Sequence, residues 1–335
     1  MTEQEKRLHR CCFTGHRPEK LQADEGTVKA WLSEKIDQAI ADGYTTFITG
    51  MAMGIDIWAG QLVVKKKAQH PELHLIAAVP WPGFASRWKE DWRAAYDALL
   101  KDADLVLNIR GAYEERVFSI RNSWMIDHSN RVIAYFNGER GGASSTLDYA
   151  FSRKIQVVTG GMTPDFSSYV AYDFETTGLS AENDEIIEIG AVRVVNGQEA
   201  ETFQELVRPS RKEISPQIAA LTGISQADVL SARKIDDVVQ DFARFAGKDP
   251  LVGFNSVAFD SRFLEATGMK MRNHQFDVML YAMQFQQMLG FKRARVSLRV
   301  LSERLEIVNP RAHRALADAM TTARCFERLK QLEEH

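Results

Sequence analysis

Asp173 and Glu175 sit one residue apart at the end of the apolar run in YVAYDFETTGLS, and no other pair in the chain carries a stronger chemical signal. Tyr169 to Asp173 reads as a buried strand, and alternation along a strand sends residues i and i+2 to one face. Asp173 and Glu175 therefore share a face while Phe174 turns into the core. Thr176, Thr177 and Gly178 then turn the chain away from the strand end. Two carboxylates held side by side repel and raise each other's pKa unless a cation lies between them, and a divalent metal is the natural cation.

Farther along, LVGFNSVAFDSRFL sets Asn255 and Asp260 just after a short apolar run, with Asp260 opening a helix that carries Phe263 and Leu264. Near the C-terminus, HRALADAMTTARCFERL reads as an amphipathic helix with His313 at its mouth and Asp318 inside it. Five residues of about 100° each set these two about 140° apart on the wheel, so they cannot share a face of one regular helix. His313 is expected in the lead-in after Pro310, folded back over the site that Asp318 faces.

The ordered set D-x-E-T-T-G, IIEIGAVRV (Ile186 to Val194), LTGI (Leu221 to Ile224), N-x-x-x-F-D and H-x-x-x-x-D resembles the DEDDh (DnaQ-like) 3′-5′ exonucleases. That family includes proofreading epsilon subunits of bacterial DNA polymerase III and ribonuclease T. The resemblance runs from about Ser168 to Leu332 and implies an α/β, ribonuclease H-like domain with a mixed sheet. It implies Asp173, Glu175 and Asp318 as ligands of one Mg²⁺ or Mn²⁺ ion, with Asp173 bridging to a second ion that Asp260 helps hold through water. Two ions roughly 3.5 to 4 Å apart would activate water and stabilise the leaving 3′ oxygen. His313 would be the general base, since an imidazole titrates near neutrality. Thr176, Thr177, Gly178, Leu179 and Asn255 would contact the terminal nucleotide rather than do chemistry.

Residues 1 to 160 alternate apolar strand-like runs with amphipathic helical ones, the pattern of an α/β parallel sheet. The expected strands are His9 to Phe13, Thr45 to Thr49, Leu73 to Val79, Asp104 to Ile109, Arg131 to Phe136 and Ile155 to Val158. Ligands of such sheets bind outside the carboxyl ends of the strands, here FTGHRP, TGMAMGID, VPWPGF and FNGERGGASST. Gly50 and Gly54 would let the backbone approach a phosphate at a helix N-terminus. A tight strand-to-helix turn is the alternative for that loop. Gly141 to Thr146 forms a second loop leading into a helix.

These segments resemble the SLOG superfamily of Rossmann-like domains, most closely its YpsA-like branch, through GHRP, TGMAMGIDIWA and RNSWMIDHSNRVIAYF followed by GGASSTLDYA. The resemblance implies a nucleotide-derived ligand or nucleic acid bound near Gly15, His16, Arg17, Gly50, Gly54 and Asp56. Arg87, Arg121, Asn122, Gly141, Gly142, Ser144 and Thr146 are further candidates, and Trp81 could stack on a base. A dimer through this domain is compatible with the same resemblance. Phosphoribohydrolases of the superfamily carry PGGxGTxxE. Here Ser145 replaces the second-position glycine, Tyr149 stands at the glutamate and Asp148 comes one position early, which argues against hydrolysis and leaves binding.

At 335 residues, 45% of them hydrophobic, the chain is comfortable for two domains with real cores. TGGMTPDFSS has a linker's composition, so the expected division is 1–160, a linker at 161–167 and 168–335. No apolar run reaches membrane-spanning length, and MTEQEKRLHRCC lacks the apolar core of a signal peptide. Cys11, Cys12 and Cys325 suit a reducing cytoplasm. The net charge of −3 argues against a broad nucleic-acid wrapping surface, and the second half alone is more acidic, with 21 Lys and Arg against 25 Asp and Glu. An exonuclease grips only a few terminal phosphates, and its metals supply positive charge. Lys292, Arg293, Arg295 and Arg299, with Arg311 and Arg314 beside His313, either guide the strand or form a solvated face.

The expectation is a cytoplasmic, metal-dependent 3′-5′ exonuclease for single-stranded DNA or RNA ends, regulated or targeted by its first half. The rivals are a nucleotide sensor with the nuclease fold as scaffold, and a nucleotide glycosidic-bond hydrolase in the first half. Five catalytic-type residues speak against the sensor, and the missing glutamate against the hydrolase. Proofreading would need a partner polymerase, and Thr176 to Leu179 could accommodate either sugar.

Overall fold

Six apolar runs of the N-terminal half become six parallel strands: β1 (Arg10–Gly15), β2 (Thr46–Thr49), β3 (His74–Val79), β4 (Leu105–Asn108), β5 (Arg131–Tyr135) and β6 (Gln156–Gly160). Each coincides with an expected strand to within two residues. The structure is a computed structural model describing residues 2–139, 141–162, 164, 166–286, 288–291 and 296–333. Within these, the chain divides into two compact units, one from the N-terminal half with a short excursion at Gln286, the other from 164–285 and 296–333.

In the first unit the strand order is β4-β3-β2-β1-β5-β6. The direction of winding reverses at β1, so the loops after β1 and β5 flank the crevice where ligands of open α/β sheets bind. Cys11 to Thr14 of β1 are buried in unbroken succession, as expected of a strand covered on both faces. After α1 (Glu3–Leu8), the crossovers are α2 (Glu25–Ala41), α3 (Ile55–Lys66), α4 (Glu90–Asp102), α5 (Val117–Asp127) and α6 (Gly142–Ser152). Asp24 caps α2 by accepting from the Thr27 N–H at 3.0 Å, and Val28, Leu32, Ile36 and Ala39 form its buried stripe.

The second unit is a five-stranded mixed sheet ordered β11-β10-β7-β8-β9. β7 (Ser168–Thr176), β8 (Ile186–Val195) and β9 (Gln198–Leu206) form an antiparallel meander, and β10 (Leu251–Gly253) and β11 (Gln275–Asp277) run parallel to β7. The helices are α7 (Pro216–Thr222), α8 (Gln226–Val229), α9 (Ile235–Ala246), α10 (Asp260–Ala266), α11 (Val278–Ala282), α12 (Leu298–Arg304) and α13 (Ala315–Glu333).

Alternation along β7 separates two cores. Val170, Tyr172 and Phe174 join Phe242 of α9 on one side, while Tyr169 meets Phe326 of α13 on the other. Ala315, Ala319 and Ala323, four residues apart and all buried, let α13 lie close on the sheet. Gly190 of β8 completes that fit, because a Cβ there would overlap the Ala315–Leu316 backbone. All three cysteines are free and buried. Among the described residues, no helix is long and apolar enough to cross a membrane.

Candidate active site

The face of β7 that meets α13 also carries Asp173 and Glu175, and the first turn of α13 carries Asp318. One carboxylate oxygen of each lies within 4.8 Å of the other two. Asp260 reaches the same strand for a different reason. β10 ends at Gly253, which leaves the edge of β7 unpaired beyond Tyr172, and the Asp260 carboxylate accepts from the Phe174 N–H at 3.0 Å.

Burial raises all four carboxyls, and repulsion within the cluster adds to it at Asp173 and Glu175. Asp173 is pushed well above the carboxylate range by desolvation and then by Asp260, Asp318 and Glu175. Glu175 and Asp260 each rise to about 8, chiefly through burial, and Glu175 further through Asp318 and Glu188. Asp318 also rises through burial, opposed by hydrogen bonds from Asn309 and His313. Three hard oxygen donors that ionise reluctantly in each other's company fit a divalent cation of the Mg²⁺ or Mn²⁺ kind.

His313 lies where the spacing placed it, in the lead-in before α13, with a left-handed backbone (φ +63°) and an exposed side chain. Its N–H donates to Asp318 Oδ2 at 3.1 Å, while Asn309 Nδ2 donates to Oδ1 at 2.5 Å. A 710 Å³ cleft opens beside it, lined among others by Arg299, Ser302, Asn309, His313 and Asp318.

The nominated nucleotide contacts divide. Leu179 projects into solvent, 87% exposed. Thr176 and Thr177, expected to face a nucleotide, are instead buried. The Thr176 hydroxyl donates to the Gly178 carbonyl at 2.6 Å and that of Thr177 to Asp184 at 3.3 Å, because the sharp turn needs its own polar partners. Gly178 has no room for a side chain against Asp184. Asn255 adopts a left-handed conformation and donates its N–H to Asp277 at 3.0 Å.

Of the basic cluster, Lys292, Arg293 and Arg295 lie outside the described residues. Arg299 pairs with Glu303 at 3.0 Å on an exposed helix face, and Arg311 is exposed. Arg314 is not a free strand-guiding cation: its guanidinium binds Glu188 at 2.6 Å.

The first unit brings its glycine-rich loops together, but mostly by joining the nominated side chains to one another. Arg121 donates to the Gly50 carbonyl and, at 2.8 Å, to Asn122 Oδ1. Asn122 donates to Thr146 at 2.7 Å, and Thr146 to the Gly142 carbonyl at 2.6 Å. Ser144 closes on Gly141. Asp56 Oδ2 accepts from the Ala52 N–H at 3.1 Å and lies 4.0 Å from Arg121. Gly50 leaves room for the Arg121 guanidinium, and Gly54 (φ +88°) sits against the His16 carbonyl, so both are required by internal packing. Gly15 likewise makes room for Ile55 and the Tyr135 carbonyl.

His16 is buried against Asn137 at 2.6 Å, tying the β1 and β5 loops across the winding reversal. Trp81 packs edge-on against Phe84, Tyr113 and Phe118. Of the charged ligand-binding candidates in the first unit, Arg17 and Arg87 are the exposed ones.

Sequence reasoning missed Glu188, Asn309 and Asp277. Asp277 is buried and accepts from the N–H groups of Asn255, Val257, Met279 and Leu280. Glu188 did carry a signal, a lone charge inside the apolar run IIEIGAV.

A mixed sheet with a carboxylate cluster between its central strand and a crossing helix defines an α/β domain of the metal-dependent nuclease class. Residues 170–326 match the Exonuclease (RNase T) family and residues 11–157 the YspA SLOG family; the chain belongs to both, a DnaQ-like exonuclease domain following a SLOG domain. A DNA polymerase III subunit epsilon of Aquifex aeolicus is 34% identical over 172 residues, covering 50% of this chain and 81% of the relative. A PolC-type DNA polymerase III of Thermotoga petrophila is 36% identical over 171 residues, covering 50% of this chain. The chain spans only 12% of that relative's length. A solved structure of exonuclease X in complex with 5′ overhanging duplex DNA is 26% identical, with a TM-score of 0.41, covering 50% of this chain and 93% of that one.

Proposed function

We propose that the chain is a divalent-metal-dependent 3′-5′ exonuclease that removes nucleoside 5′-monophosphates from single-stranded DNA or RNA ends. The convergence of Asp173, Glu175 and Asp318, with Asp260 anchored beside them, carries this reading. Asp173, Glu175 and Asp318 would hold one ion, and Asp173 with Asp260 a second. Bound divalent ions supply Lewis-acid polarisation of the scissile phosphate and make an attacking water more acidic.

The chain's own residues do the rest. Asn309 and the His313 N–H fix both oxygens of Asp318. The exposed His313 imidazole accepts the water's proton as general base. Leu179 offers an apolar surface to the terminal base. Residues 161–167 link this domain to the first, where a nucleotide-derived ligand or nucleic acid bound at the loop ends regulates or targets cleavage in the cytoplasm. The epsilon and PolC-type relatives make DNA the first substrate to try.

The test is digestion of 3′- and 5′-labelled single-stranded DNA and RNA with Mg²⁺ or Mn²⁺. Stepwise shortening from the 3′ end, lost in chelator and in Asp173→Asn and Asp318→Ala, is the expected result. Undiminished digestion by the double variant would remove the metal-centre assignment.

A further inference from the structure

Glu188 stands directly across from Glu175 in the β7–β8 register, yet it takes no place in the three-carboxylate cluster. It is fully buried, and hydrogen bonds converge on its two oxygens from three neighbours. Arg314 donates through Nε at 3.0 Å and through Nη2 at 2.6 Å. The Ala315 N–H donates at 2.9 Å and Gln204 Nε2 at 2.8 Å. Two residues on, Gly190 presents no side chain, and the Ala315–Leu316 backbone rests there.

Arg314 is the residue between His313 and α13, and Ala315 is the first residue of that helix. A carboxylate that grips both fixes where the lead-in ends and where Asp318 begins. Arg314 is also the cation whose field reaches Glu175, and Glu175 in turn acts on Arg314. Besides Glu188, the carboxylates whose fields act on Arg314 are Glu175 and Asp228, and a guanidinium that left Glu188 for Glu175 would compete there with a divalent ion.

We propose that Glu188 is a positioning residue, holding Arg314 off the carboxylate cluster so that the cluster stays open to a metal ion, while locking the His313 lead-in against β8. The proposal rests on the exonuclease reading of that cluster.

The measurement is Mn²⁺ affinity by calorimetry on the full chain without nucleic acid, for Glu188→Gln, Arg314→Gln and the two together. Glu188→Gln is isosteric, Arg314→Gln shortens the side chain but keeps it polar, and each removes one charge. Glu188→Gln should weaken Mn²⁺ binding about tenfold, because the guanidinium charge is left uncompensated beside Glu175. Arg314→Gln should bind Mn²⁺ at least as tightly as the unaltered chain. The double variant, again neutral at this pair, should return to within about threefold.

A purely structural role predicts no such recovery, so a double variant as weak as Glu188→Gln overturns the proposal, as does Glu188→Gln binding within about twofold of the unaltered chain. Should Glu188→Gln fail to fold, Arg314→Gln decides alone, and weaker Mn²⁺ binding by it overturns the proposal. Asp173→Asn separates the two readings. If it leaves Mn²⁺ binding intact, the metal-centre reading fails. If it abolishes binding while Glu188→Gln changes nothing, only the role of Glu188 fails.

Discussion

Both units gather polar side chains beyond the ends of their strands, and they use them in opposite ways. In the second unit four carboxyls are packed together with all their pKa values raised, and the Arg314 guanidinium is bonded to Glu188 rather than to the cluster. Such a site is electrostatically incomplete without a cation. In the first unit Arg121, Asn122, Thr146, Ser144 and His16 bond to neighbouring loops, and Asp56 Oδ1 is the one nominated side-chain atom left buried without a partner among the described residues. Those side chains brace the loops, leaving backbone groups and exposed arginines to meet anything outside.

That contrast explains what could be read in advance. Strand alternation alone put Asp173 and Glu175 on one face, and helix geometry alone put His313 outside α13. Both are local rules that tertiary packing did not alter. The six strands of the first unit were legible for the same reason. The roles of Arg121 and Asn122 were not, because they depend on loops after β2 and β5 meeting across α5, which no local spacing encodes. Glu188 and Asp277 escaped notice because they act on backbone N–H groups far away in sequence.

The largest effect expected within this contrast is on chemistry alone. His313 is exposed and donates only its backbone to Asp318, so His313→Ala should leave thermal stability unchanged. Turnover should fall about 10² to 10⁴ fold. A variant within about twofold of the unaltered chain would remove His313 as the general base.

A smaller effect separates the units by pH. Glu175 and Asp260 titrate near about 8 in the folded, metal-free protein, far above their ordinary range. A raised carboxyl pKa means that the folded state holds protons the unfolded state has released. Its stabilising contribution is present at low pH and is lost as pH rises through about 8. In chelator the Tm should therefore fall from about pH 5 to about pH 9, and saturating Mn²⁺ should restore more of it at the higher pH. Asp173→Asn, which removes one of the repelling charges, should flatten the fall. A chelated Tm that stays level or climbs across this window would contradict the buried, mutually repelling carboxylates.

The smallest effect concerns the first unit, where bracing and binding residues must be told apart. Arg121→Ala strips a partner from the Gly50 carbonyl and leaves Asp56 without its neighbouring cation, so it should lower the Tm by several degrees whatever ligand is added. It cannot report on binding. Arg17 and Arg87 are exposed, and surface changes of this kind shift stability by no more than about 0.5 kcal/mol. The combined Arg17→Ala, Arg87→Ala variant should therefore melt with the unaltered chain in the absence of ligand. A nucleotide that binds the folded state raises the Tm by mass action, by about 2.7 kcal/mol of stability at a hundredfold excess over Kd. Screening nucleotides by thermal shift should find a Tm increase in the unaltered chain that the double variant lacks. If the increase persists in the double variant, recognition runs through the loop backbone alone. If the double variant melts as early as Arg121→Ala, these arginines belong to the brace and the division drawn between the two kinds of residue fails.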